Sequence, residues 1–102
     1  MIAAMLSALL PAIGDIRRIP AALGLAYLAA GRLDAGVLVN TKLWDIAAGL
    51  LIADQAGVVL SGPDGPPTPE LTLGAAPTLW PEFTAAAAAA LARGHRPDPF
   101  RP

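Results

Sequence analysis

The chain has 102 residues, of which 55% are hydrophobic, and a formal net charge of −1. This is the size of one domain with ample apolar material for a core, so a disordered protein is excluded. The near-neutral charge gives no electrostatic footprint for nucleic acid. The sequence contains no cysteine, which excludes a disulfide framework and thiolate metal sites.

The apolar run from Met1 to Gly14 has helix-forming residues up to Pro11, but it falls short of the roughly 20 residues that span a bilayer. The positive charges of Arg17 and Arg18 follow this run, whereas a signal peptide carries them in front. We therefore expect a cytoplasmic protein with no membrane partner. Residues 13–19 are compatible with either a short strand or an extended entry to the next helix.

A helix, a strand and a second helix are predicted next. Ala21 to Ala30 contains good helix formers, and Gly31 is well placed to end the helix in a left-handed conformation. Apolar side chains point in several directions around it, so we expect it to be buried on most sides. Asp34 to Asn40 is a short apolar strand, and Leu43 to Ala56 is the helix that follows.

The helix over 43–56 has a predicted buried face and a central glycine. Gly49 costs about 1 kcal/mol relative to alanine, and close packing against another backbone is the usual reason for such a residue. Gly57 is expected to end the helix. The residues expected on the buried face are Ile46, Ala47, Leu50 and Leu51.

Two further strands and a helix complete the predicted fold. Residues 58–60 form the core of the second strand and residues 71–76 the third. An alanine-rich helix follows from Thr78 to Ala92, with strands and helices together indicating a layered α/β domain. We expect one domain over residues 1–94 and a disordered, proline-rich tail over 95–102.

Asp45 is the first candidate for chemistry, because it follows a strand and lies in the first turn of a helix. Ligands gather at the carboxyl edges of strands in open α/β folds, and helix starts favour negative charge. A helix-start carboxylate also serves as a cap or as a partner of the helix dipole. Trp44 is expected to pack beside this position. Arg17 and Arg18 are read either as phosphate contacts or as a solvated pair.

Several segments at matching distances resemble the C-terminal half of the inositol monophosphatase family, over about residues 13–92. The most specific is the W-D-x-A-A-G element after G-R-x-D-A. The matching segments are Asp15-Ile16-Arg17-Arg18-Ile19, Ala21-Ala22-Leu23, Ala29-Ala30-Gly31-Arg32-Leu33-Asp34-Ala35, Trp44-Asp45-Ile46-Ala47-Ala48-Gly49, Ala56-Gly57 and Asp64-Gly65.

This resemblance implies a magnesium-dependent phosphomonoesterase of layered α/β architecture, usually homodimeric, acting on a small phosphorylated metabolite. By the match, Asp45 would be a Mg²⁺ ligand, with Trp44, Ala47 and Gly49 as motif residues that pack near the site. Magnesium is a hard cation that prefers carboxylate, water and phosphate oxygens. The family's Gly-Glu-Glu and Asp-Pro-Ile-Asp-Gly-Thr ligand segments occur nowhere in the sequence, and no catalytic residue is assigned.

Two substitutions separate this sequence from the family pattern around the substrate. The family has Gly-Ser-Ala or Gly-Thr-Ala before the first helix, where this chain has Ile19-Pro20-Ala21, so Ala21 remains as a reduced substrate contact. A glutamate that often contacts the inositol ring corresponds to Leu38. The sequence therefore supports two hypotheses: part of a phosphate monoester hydrolase, or a noncatalytic module or inactive remnant that pairs with a second copy or with a missing N-terminal half.

Overall fold

The computed structural model describes residue 7 and residues 9–94. The chain falls into two compact units, Arg18–Phe83 and a unit formed by Met1–Arg17 with Thr84–Pro102. The single domain expected over residues 1–94 stays a prediction.

In the amino-terminal part of the described chain, residues 7 and 9 are helical. A 3₁₀ helix occupies Leu10–Ala12, and most of the helix predicted over residues 1–10 lies outside the described residues, as does the predicted tail over 95–102. Residues 13–19 contain no strand. Of the two alternatives for that segment, the strand is therefore wrong.

Helix α1, Ala21–Ala29, begins after Pro20, whose carbonyl accepts the N–H of Gly24 at 2.8 Å. It ends as the sequence predicts, because Gly31 has φ of +75° and the Arg32 N–H donates to the Tyr27 carbonyl at 2.9 Å. This pattern satisfies carbonyls of the last turn that would otherwise lack donors.

The expectation that α1 is buried on most sides is wrong. Leu25 and Leu28 are buried, but Leu23 is 43% exposed. Only one side of α1 packs against the rest of the unit, so its remaining leucine faces solvent.

Three strands form one antiparallel sheet in the order β1-β3-β2, with β1 at Ala35–Val39, β2 at Val59–Ser61 and β3 at Leu71–Ala75. All five residues of the central strand β3 are buried. Because β1 and β2 both run antiparallel to β3, the carboxyl ends of β1 and β2 lie at the same edge of the sheet.

A pair of glycines lets α1 approach the sheet closely. Gly36 of β1 lies directly opposite Gly74 of β3. A Cβ on Gly36 would lie 3.0 Å from Cδ1 of Leu28, and one on Gly74 would lie 3.3 Å from the same atom. The space above these two glycines is therefore filled by a leucine of α1.

Helix α2, Leu43–Gln55, packs against α1 through a face that differs from the predicted one. Its buried residues are Ile46, Gly49 and Ala53, with Leu50 partly buried against the same cluster. The predicted burial of Ala47 and Leu51 is wrong, since both are exposed. The prediction placed the apolar stripe about 80° around the helix from the contact, because α2 is apolar on more than one side.

The glycine in α2 has the packing role expected of it. A Cβ on Gly49 would lie 2.8 Å from both Cβ and Cδ1 of Leu25, so only glycine permits this separation of the two helices. The end of α2 repeats that of α1: Gly57 has φ of +89°, and the Val58 N–H donates to the Ala53 carbonyl at 3.0 Å.

Helix α3, Trp80–Gly94, begins two residues after the predicted start at Thr78. The Trp80 N–H donates to the Ala76 carbonyl at 3.0 Å, and the rings of Trp80 and Phe83 lie 6.3 Å apart. In the described part of the chain, no helix combines the length and the hydropathy that crossing a bilayer requires.

Candidate functional site

The junction between β1 and α2 carries the candidate site. After Val39, the backbone at Asn40 takes a left-handed conformation with φ of 54°, which asparagine tolerates better than most residues. The chain is extended again at Lys42, the residue before α2. The junction thus redirects the chain from the sheet edge into α2 within three residues, 40–42.

Hydrogen bonds fix this junction to the segment that leads into β3. The Asn40 N–H donates to the Glu70 carbonyl at 3.0 Å. Thr41 donates twice to the carbonyl of Pro69, from its backbone N–H at 2.7 Å and from its hydroxyl at 2.9 Å. Sequence reasoning did not single out Asn40 or Thr41, and the only available signal was the change from apolar to polar residues where the strand ends.

Asp45 occupies the third position of α2, and its backbone N–H donates to the Lys42 carbonyl at 2.9 Å. The residue before the helix is Lys42, and no side chain caps this end. Asp45 is exposed, and its carboxylate has neither a hydrogen-bond donor nor an ion-pair partner among the described residues. The cap alternative is therefore excluded, which leaves the interaction with the helix dipole and the ligand role.

Asp45 has few companion side chains that could bind a metal ion among the described residues. Residue 7 and residues 9–94 contain no group of three or more histidine, cysteine, aspartate or glutamate side chains placed to hold a metal ion. Mg²⁺ requires near-octahedral oxygen coordination and commonly takes one or two carboxylates together with water and phosphate oxygens. An exposed, unpaired carboxylate suits one position of such a site, and the other protein ligands would have to come from outside the described residues.

The remaining candidate residues lie on different surfaces. Trp44 is 80% exposed and Ala47 is also exposed, so neither side chain is buried among the described residues, and their packing near the site stays a prediction. Gly49 lies on the opposite, buried side of α2. Ala21, at the start of α1, packs against the buried cluster that contains Ile46, the neighbour of Asp45.

Of the two alternatives for the arginine pair, phosphate contact or solvated pair, the contacts of Arg17 favour the solvated one. Its Nε lies 3.5 Å from a carboxylate oxygen of Asp15, and both side chains are 72% exposed. Such an exposed pair contributes little stability. Nothing in this contact orients Arg17 toward a phosphate.

Comparisons of this sequence with family models and with individual proteins give matches to the same family. The model of the "Inositol monophosphatase family" matches residues 2–96. The inositol-1-monophosphatase SuhB of Mycobacterium tuberculosis is 44% identical over 87 residues, which are 82% of this chain and 30% of that protein. An inositol-1-monophosphatase of Mesorhizobium japonicum is 48% identical over 54 residues, or 52% of this chain and 20% of that protein.

A solved structure of M. tuberculosis SuhB matches the fold with a TM-score of 0.75 and 39% identity. The match covers 86% of this chain and 35% of the SuhB chain. The chain therefore spans about a third, or less, of the length of the relatives it matches.

Proposed function

The chain belongs to the inositol monophosphatase family, and we propose that it contributes one metal-binding carboxylate, Asp45, to a magnesium-dependent phosphate monoester hydrolase. The substrate class is a small phosphorylated metabolite, and the expected setting is the cytoplasm. The proposal rests on one observation: the carboxylate of Asp45 is exposed to solvent after the carboxyl end of β1 and has no hydrogen-bond or ion-pair partner within residues 9–94.

The residues around Asp45 hold this side chain in position and have no chemical role in the proposal. The Asn40 and Thr41 hydrogen bonds to residues 69–70 hold the start of α2 against the sheet. The burial of Ile46 fixes the rotation of the helix, which determines the direction in which its neighbour Asp45 points. Bound magnesium would activate water and neutralise phosphate charge in such enzymes, and Asp45 would hold one coordination position.

The substrate is not defined by the family alone. Leu38 packs against the buried cluster, where a glutamate in the family would offer a polar contact to an inositol ring. Ala21 also packs against that cluster, and the Ile19-Pro20 segment before it lacks the hydroxyl that Gly-Ser or Gly-Thr offers in the family. These two positions favour a phosphate monoester other than myo-inositol phosphate.

A paramagnetic ion tests the ligand assignment directly. Mn²⁺ prefers the same oxygen ligands as Mg²⁺ and broadens the NMR signals of nearby amides. We expect broadening centred on the amides of residues 43–47 in the full chain, reversed by excess Mg²⁺. Asp45→Asn should abolish it because the substitution removes the anionic oxygen at nearly constant shape.

The matched control is Asp54→Asn, which removes the same charge from an exposed aspartate in the last turn of α2. This variant should keep the broadening at residues 43–47. Unchanged broadening in Asp45→Asn, or equal loss in both variants, contradicts the assignment.

A noncatalytic role is the second candidate, and the absence of a metal-ligand cluster from the described residues favours it. In this case the chain would act by association with a second copy or with another polypeptide. A phosphatase assay of the pure chain with Mg²⁺ distinguishes the two roles. Hydrolysis that is lost in Asp45→Asn excludes the noncatalytic role.

A further inference from the structure

The segment between the 3₁₀ helix and α1 is exposed and makes few hydrogen bonds. We name residues 14–19 the linker; they belong to no helix or strand, and residues 14–18 are all exposed. None of the six exchanges a backbone–backbone hydrogen bond with another described residue. The one hydrogen bond of the linker within the described chain joins the Ile16 N–H to the Asp15 carboxylate at 2.8 Å. The linker backbone is therefore available to a partner that binds an extended chain.

The linker carries two adjacent arginines, Arg17 and Arg18. The ion pair of Arg17 with Asp15 has an N–O distance of 3.5 Å, and both side chains are 72% exposed. An ion pair this exposed contributes little free energy, so a carboxylate in a partner's pocket can readily replace Asp15. Trypsin-type endopeptidases have such a pocket, in which an aspartate binds the basic side chain that precedes the cut bond.

Backbone hydrogen bonding favours one of the two bonds that follow an arginine in the linker. A bound peptide segment pairs with its partner as an added strand, through its N–H and C=O groups. If the Arg18–Ile19 bond were cut, Pro20 would be the second residue after the cut, and proline has no N–H to donate. If the Arg17–Arg18 bond is cut, Ile19 takes that position and supplies the N–H. The Pro20 carbonyl is also engaged already, by the Gly24 N–H at 2.8 Å.

The other basic residues of the described chain lie in hydrogen-bonded structure. The Arg32 N–H donates to the Tyr27 carbonyl at 2.9 Å, and the Arg32 guanidinium lies 5.8 Å from the centre of the Tyr27 ring. The Lys42 carbonyl accepts the Asp45 N–H at 2.9 Å, and Arg93 lies within α3. Cleavage at these positions requires local unfolding first. The two remaining arginines each precede a proline, which trypsin-type enzymes do not accept directly after the cut bond.

We propose that the Arg17–Arg18 bond is a processing site for an endopeptidase specific for basic residues. Hydrolysis consumes one water: the carbonyl carbon of Arg17 gains its hydroxyl, and the nitrogen of Arg18 gains its hydrogen as the C–N bond breaks. The products ionise to a carboxylate and a new amino terminus. This bond also joins the two compact units along the chain, because one of them begins at Arg18. The unit Arg18–Phe83, which contains Asp45, stays one continuous polypeptide after the cut.

Limited digestion of the full chain with trypsin tests the proposal. Intact-mass spectrometry follows the products with time under native conditions. We expect residues 1–17 and 18–102 to appear first, at least about tenfold faster than products of cleavage after Arg32 or Lys42, because only the latter need local unfolding. The same digestion in urea, at a concentration that unfolds the chain and leaves trypsin active, removes that requirement. The preference should then be lost.

Three substitutions locate the cut bond. Arg17→Gln removes the side chain that the enzyme binds and should eliminate the product 18–102; the fold should be unchanged because Arg17 is exposed, which circular dichroism checks. Arg18→Gln should keep the cut, because this residue follows the cut bond. Arg32→Gln is the matched control, since it removes another exposed arginine and should leave the first cut unchanged.

Other results overturn the proposal. A first cut after Arg32, Lys42 or Arg93 in the folded chain would show that the linker is not the accessible segment. A dominant cut after Arg18 would contradict the choice of bond. Equal loss of the product 18–102 in Arg17→Gln and Arg32→Gln would show that Arg17 is not the side chain recognised. A preference that persists in urea would assign the cut to the local sequence rather than to the fold.

Discussion

Two glycine-to-alanine substitutions separate helix propensity from helix packing in this fold. Gly24 lies within α1 and Gly49 within α2, so alanine improves the intrinsic helix propensity of both by about 0.5–1 kcal/mol. A Cβ on Gly24 would meet no atom within 4 Å, whereas one on Gly49 would lie 2.8 Å from Cβ of Leu25. Both variants therefore gain helix propensity, but only Gly49→Ala creates a steric collision with Leu25.

The collision at Gly49 is not relieved by a side-chain rotation. The Cβ of Leu25 is attached directly to the backbone of α1, so α1 and α2 must move apart, and overpacking of this kind costs about 1–3 kcal/mol. We expect Gly24→Ala to stabilise the chain by about 0.5–1 kcal/mol. Gly49→Ala should fall about 1–3 kcal/mol below Gly24→Ala in its free energy of unfolding.

Thermal and urea unfolding, followed by far-UV circular dichroism, measure this difference. For a domain of this size each kcal/mol corresponds to about 4–8 °C in Tm. If Gly49→Ala equals or exceeds Gly24→Ala in stability, α1 and α2 do not approach as closely as the structure shows.

Substitutions at two further positions, 41 and 57, test the segments that flank α2. Thr41→Val should lower the free energy of unfolding by about 1 kcal/mol in urea titrations, because it removes the hydroxyl bond to the Pro69 carbonyl while the backbone N–H still donates to that carbonyl. Thr41→Ser keeps the hydroxyl and should retain most of the stability. Equal losses in both variants would contradict this role of the hydroxyl. Gly57→Ala should cost about 1–2 kcal/mol because φ is +89°. Gly57→Asn should cost less in the same titration, and no loss for alanine would argue against the left-handed helix end.

The ends of elements were the most predictable features of the fold. Gly31 and Gly57 end α1 and α2 as expected, because a left-handed residue after a helix strongly favours glycine and the signal is local. The three strands were also found within one or two residues of their predicted positions. Their order was not predicted, because the pairing of β1 with β3 joins segments separated by more than thirty residues.

The faces of the helices were less predictable. Leu50 and Leu51 are adjacent and chemically identical, yet one packs against the buried cluster and the other is 63% exposed. In a helix that is apolar on more than one side, composition gives no preferred direction, and the contact is decided by where a glycine allows close approach. Gly49 carried that information, and reading it as the centre of the buried face would have identified Ile46 and Ala53.

The candidate site, like the fold, depends partly on local contacts and partly on more distant surroundings. The position of Asp45 follows from contacts that the chain makes by itself: the Thr41 bonds to Pro69 and the burial of Ile46. The affinity of Asp45 for a cation in the proposed role would depend on its surroundings, since an exposed carboxylate attracts a cation weakly in water and more strongly where neighbouring surfaces exclude water.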